Sequence, residues 1–177
     1  MRLATPFKTS PAKTEQIILF RVSGQLFAVS SASVQEVRSA DSMSGAATEI
    51  SAPGIRKVRH VVRRGDRSIF IVSGAMHFGL HPASAPLLFV LRKTRTALLI
   101  DGIEKMTTMT RLQALPLSFC HEERAWYRGL TALDQSVVPV VRPDGFLSLE
   151  ELALLDAALP PVEKSSGEGL EEAGSEQ

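Results

Sequence analysis

The sequence lacks most of the features that mark a secreted or membrane-spanning protein. Its only cysteine is Cys120, so no disulfide can form within the chain, as is usual in a reducing compartment. The longest apolar runs, such as Leu87–Leu91 and Ala97–Ile100, are far shorter than the roughly 20 residues needed to cross a bilayer. The first residues carry no signal-peptide apolar run. We therefore expect a cytoplasmic protein with no direct membrane insertion.

Catalytic and cofactor motifs are also missing. There is no glycine-rich phosphate loop and no nucleophile elbow. Cys120 and His121 are adjacent, and adjacent side chains do not converge in a strand or a helix. His77 and His81 have zinc-ligand spacing for a helix, but Gly79 between them disfavours that helix. We predict no catalytic residue, no cofactor, no metal site and no enzymatic activity.

Composition divides the chain into three parts. Residues 1–14 carry basic residues and prolines without an acid, and we expect a flexible lead. Residues 160–177 hold five glutamates against one lysine, and we expect a disordered acidic tail. Residues 15–159 contain the regular apolar segments. The formal net charge of +1 favours no class of partner.

The middle part alternates short β-branched or apolar segments with turn residues, a pattern typical of a barrel or a sandwich. One helix is predicted after Ser148, because Glu151 completes a capping box and leucines recur at helical spacing at Leu149, Leu152, Leu155 and Leu159. Ser39–Gly54 is predicted to be a loop, and Gly74–Pro86 a connection. The predicted strands are Gln16–Val22, Gln25–Val29, Val34–Arg38, Val58–Arg64, Arg67–Ser73, Leu87–Arg92, Thr96–Asp101, Trp126–Leu133 and Ser136–Val141.

Basic residues cluster between positions 56 and 67, where Asp66 is the only acid. The cluster is compatible with a solvated strand face, with docking of an acidic protein, or with nucleic acid. Binders of single-stranded nucleic acid interleave aromatic residues for stacking, and only Phe70 is close, in what reads as a core strand. Trp126 and Tyr127 are the only residues of their types, and strand alternation predicts one in the core and the other at the surface.

The order of these segments resembles the CheW-like family. Ile18–Asp41 resembles its opening block, with Val34-Gln35-Glu36-Val37-Arg38 as the V-x-E-[IV] strand. Later matches are Val62–Gly65 followed by an apolar strand and Phe78-Gly79, then Leu98–Ile103, and then Arg128-Gly129-Leu130. The resemblance covers residues 15–157. Two departures are Lys57, where the family usually has glycine, and Val62-Arg63, where it usually has Asn-Leu.

The resemblance implies an all-β fold of two packed, five-stranded SH3-like barrels with a short C-terminal helix, and a hydrophobic core in each barrel and between them. It also implies an adaptor that couples the cytoplasmic tip of a chemoreceptor to a CheA-type histidine kinase. The implied partner-binding residues are Val34, Glu36, Arg38 and Arg64.

In this interpretation Val34 supplies apolar contact, while Glu36 and Arg64 select polar groups of a docked helix. The opposing interpretation makes Glu36 and Arg64 only a surface ion pair. Period-two alternation places Val37 in the core. The alternative function is a basic β-barrel that binds nucleic acid.

Overall fold

The computed structural model describes residues 14–161, which form eleven strands and four short helices. The helices are α1 (Asp41–Ser44), α2 (Gly74–His77), α3 (Glu123–Trp126) and α4 (Leu149–Ala157). The strands are β1 (Glu15–Val22), β2 (Gln25–Ser30), β3 (Val34–Ser39), β4 (Ala47–Glu49), β5 (Val58–Arg64), β6 (Arg67–Ser73), β7 (Leu87–Leu91), β8 (Thr96–Ile100), β9 (Gly102–Met109), β10 (Tyr127–Leu133) and β11 (Ser136–Val141).

Eight of the predicted strands pair as four hairpins, β1–β2, β5–β6, β7–β8 and β10–β11. Local turn chemistry explains two of them. Ser23 and Gly24 both have positive φ, as do Asp134 and Gln135, so each hairpin turns through two left-handed residues. Such turns match the right-handed twist of the strands that they join.

These strands build two barrel-like sheets. The first has the order β10-β11-β2-β1-β9, and the second has the order β3-β7-β8-β6-β5-β4. Each sheet holds one parallel pair, β11 with β2 and β6 with β8. The two-barrel architecture expected from the resemblance is confirmed, and the second sheet gains a sixth strand because the three-residue β4 pairs with β5.

Each sheet encloses its own apolar cluster, and the largest cluster lies between the two sheets. Ile17, Leu19 and Val140 belong to the interior of the first barrel, and Leu88 and Val90 to that of the second. The members of the central cluster with the largest fully buried side chains come from both sheets, from the segment between β11 and α4, and from α4: Phe20, Phe70, Phe89, Phe146, Leu98, Ile100 and Leu155. Phe20 and Phe89 meet edge to face across the joint, with ring centroids 5.3 Å apart.

Helix α4 begins with the predicted capping box. The Ser148 side chain accepts from the Glu151 amide, and the Glu151 side chain accepts from the Ser148 amide. Leu155 is fully buried under the central cluster, whereas Leu149, at the start of the predicted apolar stripe, is 86% exposed. The helix therefore packs through its second half, and Arg95 donates to the Asp156 carboxylate there at 2.8 Å.

The elements α1, β4, α2 and β9 were not predicted from the sequence. Ser39–Gly54 contains α1 and β4, and Gly74–Pro86 begins with α2, because elements of three or four residues are too short to show periodicity. Strand β9 was not predicted, since it is an edge strand with mostly exposed polar residues and buries only Met109. The expected flexible lead (1–14) and disordered tail (160–177) lie outside the described residues except for Thr14, Pro160 and Pro161. Among residues 14–161, no helix is long and apolar enough to cross a bilayer.

Candidate partner-binding site

The predicted site residues lie at the edge strand β3 and at the tip of the β5–β6 hairpin. Glu36 accepts a 2.9 Å hydrogen bond from Arg38 Nε through Oε2, and its buried Oε1 forms an ion pair with Arg64 Nη1. The hydrogen bond from Arg64, followed by that from Arg38, lowers the pKa of the Glu36 carboxyl. The structure thus brings Glu36, Arg38 and Arg64 together as one charged triad.

Register explains why the triad converges. Directly opposite residues of an antiparallel pair share a face, and Glu36 and Arg38 lie opposite Val90 and Leu88, which point into the second barrel. Arg64 follows Val62, also of that interior, by two residues. The triad therefore closes the mouth of the second barrel between β3 and the hairpin, with Glu36 and Arg64 still 29% and 30% exposed.

Val34 and Val37 exchange the exposures that strand alternation predicts. A bulge shifts the β3–β7 register between Val34 and Glu36, so that Val34 and Val37 both lie on the face of the central cluster. Val34 is only 7% exposed, which leaves little of its side chain for a partner. Val37 is 42% exposed, because β3 is the outermost strand there, and the prediction that Val37 enters the core is wrong.

Val37 is the residue that sequence reasoning missed. It combines an apolar side chain, solvent exposure and a position directly beside Glu36 and Arg38. Strand alternation could not show this, since it assigns Val37 to the core, and the exposure depends on β3 being the outermost strand of its sheet. The exposed edge of β3 therefore presents one apolar group, Val37, on the face of the central cluster and the charged triad on its other face.

Lys57, which departs from the family pattern, holds helix α4 in place through its side chain. Its side chain is largely buried, and Nζ donates to the Phe146 carbonyl at 2.7 Å and pairs with the Glu151 carboxylate at 2.9 Å. Glu151 also caps α4, so one carboxylate joins the start of β5 to the start of the helix. The lysine thus fixes α4 onto the second barrel.

An aromatic cluster surrounds α2 at the joint between the barrels. His77 packs against Trp126 and Phe146, with ring centroids 4.5 and 4.9 Å apart. Burial, with a smaller contribution from Lys57, lowers the pKa of His77 to about 3, and its Nε2 has no hydrogen-bond partner among residues 14–161. Burial raises the pKa of Tyr127 to about 12. The joint therefore holds an imidazole that is neutral at physiological pH.

Trp126 and Tyr127 do not divide between core and surface as predicted. Both are partly buried and pack against the central cluster. Trp126 is the last residue of α3 and the strand starts at Tyr127, so strand alternation does not apply to the pair.

The cysteine and histidines considered as catalytic or metal-binding candidates do not form a common site. Cys120 and His121 are both exposed, whereas His77 is buried and His81 exposed. Within residues 14–161, no three histidine, cysteine, aspartate or glutamate side chains are grouped as a metal site requires. Phe70, the only Phe, Trp or Tyr close in sequence to the basic cluster, is fully buried.

Comparisons with known proteins bear on the whole two-barrel body. The model of the CheW-like domain matches residues 16–151. Among solved structures, the scaffolding protein TtCheW from Thermoanaerobacter tengcongensis superposes with a TM-score of 0.63 at 11% sequence identity, covering 78% of this chain and 96% of that one. A search of the curated proteins finds no match. The structural likeness at this identity supports the fold, and the family match spans both barrels and the start of α4. The chain therefore belongs to the CheW-like domain family.

Proposed function

We propose that this protein is a non-enzymatic, cytoplasmic adaptor that couples chemoreceptors to a CheA-type histidine kinase. The observation that carries the proposal is the exposed β3 edge, where Val37 lies beside the Glu36, Arg38 and Arg64 triad on a body of the CheW-like fold. The family match and the likeness to a scaffolding protein support the same function. In this mechanism the protein acts by position, because one rigid body holds two partners at a fixed geometry.

The receptor surface in this proposal is the β3 edge. A receptor helix would present one apolar side chain to Val37 and polar side chains to the triad, as in other helix-in-groove complexes. Val34 supports this surface from beneath, since it is buried in the central cluster. Arg38 and Arg64 hold the Glu36 carboxylate in place, so the charges are ordered before the partner arrives.

A binding titration with a purified cytoplasmic fragment of a chemoreceptor tests this surface. Glu36→Ala and Arg64→Ala should each weaken binding by about 2 kcal/mol, or about 30-fold, because each leaves a charge of the triad unpaired at the interface. Val37→Ala should also weaken binding, through lost apolar contact.

The matched control is Arg21→Ala, which breaks another exposed ion pair, with Glu104 at 2.9 Å, on the first barrel. This variant should bind the receptor fragment like the parent. If all four variants bind equally well, the triad is only a surface ion pair and the receptor surface lies elsewhere.

The kinase half of the proposal rests on the family alone, and we assign it no residues. Capture of a CheA-type kinase and a chemoreceptor together by the tagged protein from native lysate is the expected result. The alternative function, nucleic-acid binding, predicts sub-micromolar affinity that depends on Arg56 and Arg59 and falls steeply with salt. We expect no such binding, because the one aromatic ring near those arginines, Phe70, is buried.

A further inference from the structure

An exposed basic row lies along β5 of the second barrel. Arg59 and Arg63 belong to β5 and Arg56 lies just before it, and all three residues are exposed. No carboxylate of residues 14–161 forms an ion pair with any of them, although Glu49 and Asp66 lie on neighbouring segments. In contrast, Arg64 and Arg95 of the same barrel are paired. The row therefore carries positive charge that the described part of the chain leaves uncompensated.

The chain leaves α4 at one end of this row. Arg63 Nη2 donates to the Pro160 carbonyl at 3.2 Å, next to the last described residue, Pro161. The ion pair between Arg95 and Asp156 holds the end of the helix against the same barrel. Residues beyond 161 thus start beside Arg63.

The segment that follows is complementary in charge and long enough to reach the whole row. Residues 162–177 hold five glutamates and one lysine. Arg59 lies four residues from Arg63 along the strand, a span of about 13 Å at about 3.3 Å per residue. An extended chain covers about 3.3–3.6 Å per residue, so acidic residues from Glu163 onwards can reach Arg63 and then Arg59.

We propose that the acidic segment 162–177 docks on the basic row Arg56, Arg59 and Arg63 of the same chain and covers it against other acidic partners. Covalent attachment places the glutamates at millimolar effective concentration beside the row. Each exposed ion pair is individually weak and is screened by salt, so the contact is reversible and depends on ionic strength. The inference concerns a different face from the receptor surface and does not rest on the adaptor function.

NMR spectra of the full chain and of a chain ending at Pro161 test the contact. At about 0.01 M salt, the amide and side-chain Nε signals of Arg56, Arg59 and Arg63 should differ between the two chains. The differences should vanish at about 1 M salt, where the Debye length falls to about 3 Å. Signals of Arg111, an exposed arginine beside β10 of the other barrel, should stay unchanged and serve as the control.

Two further measurements separate this contact from other causes. The triple variant Glu168→Gln, Glu171→Gln and Glu172→Gln, which keeps the segment's length, should move the arginine signals most of the way to those of the shortened chain. A synthetic peptide of residues 162–177 should bind the shortened chain several-fold more tightly than the full chain, because the attached segment competes. Identical arginine signals in the two chains at low salt would overturn the proposal. So would shifts that grow with protein concentration, because they would indicate the segment of a second copy.

Discussion

The two barrels close in different ways. In the first barrel, Gln113, just after β9, exchanges two backbone hydrogen bonds of 2.8 and 2.9 Å with Leu130 of β10. In the second, no backbone hydrogen bond of the described chain joins β3 to β4 or β5. The ion pair between Glu36 and Arg64 spans that gap instead.

The two kinds of closure show where a sheet can carry exposed charge. A seam closed by backbone needs no particular side chain, but it needs close approach of two chains. A seam closed by side chains leaves an opening, and the second barrel keeps a cavity of about 320 Å³ among residues that include Met43, Ile71 and Leu88. Its closing charges stay partly exposed, which makes the same residues available to a partner. The candidate site therefore lies on the barrel that the backbone leaves open.

The largest expected effect on stability comes from the titration of His77 at the joint between the barrels. Folding lowers the pKa of His77 from 6.5 to about 3, so between those values the unfolded chain binds one more proton than the folded chain. Stability should thus fall as the pH drops below 6.5, by up to about 1.4 kcal/mol per pH unit, and level off near pH 3. Urea unfolding at several pH values measures this slope.

Substitution of the imidazole isolates its contribution from those of the carboxyls. His77→Phe keeps an aromatic ring among Trp126, Phe78 and Phe146 and removes the titrating group. The variant should lose stability less steeply than the parent between pH 6.5 and about 3. Equal slopes for both proteins would mean that His77 is not buried neutral at the joint.

The next largest effect on stability is expected at the seam of the first barrel, where the backbones of Gln113 and Leu130 are hydrogen-bonded. A Cβ at Gly129 would lie 2.3 Å from the Gln113 carbonyl oxygen, so Gly129→Ala should force the seam apart at a cost of about 1–3 kcal/mol. Gly102→Ala on β9 is the matched control, because a Cβ there meets nothing within 4 Å. Thermal and urea unfolding of both variants measure the cost. A Gly129→Ala variant as stable as Gly102→Ala would contradict the expectation.

Sequence reasoning predicted the parts of the fold that local chemistry determines. All four hairpins followed from turn residues and apolar strands, and α4 followed from Ser148 and Glu151. Strand β9 was not predicted, because an edge strand with exposed polar residues shows no alternation of apolar and polar residues. The pairing of strands distant in sequence, such as β1 with β9, was not predicted, and the family resemblance implied only the two-barrel architecture.

The candidate site was predictable in its charges and not in its apolar contact. Glu36, Arg38 and Arg64 were identified by their match to family positions, and the structure brings their side chains together. Val34 was identified by its match to a family position, and Val37 was assigned to the core by alternation. The bulge in β3 turns Val34 into the central cluster, and the edge position of β3 exposes Val37. A bulge depends on how two strands far apart in sequence fit together, so one strand's sequence does not disclose it.

The side-chain-closed seam should give the smallest change in global stability and a clear local one. Glu36→Gln removes the charge that binds Arg64, and an exposed pair of this kind contributes under about 1 kcal/mol to stability. Strand β3 pairs only with β7, so loss of the ion pair should let the β3 edge open more often. Hydrogen exchange of the β3 amides should therefore quicken, while that of the β10 amides, beside the backbone-closed seam, should not change. Higher salt should quicken β3 exchange in the parent and have less effect in the variant, because only the parent has an ion pair to screen. Equal protection of β3 in both proteins would show that β7 alone holds this edge, and the contrast between the two seams would then have no dynamic consequence.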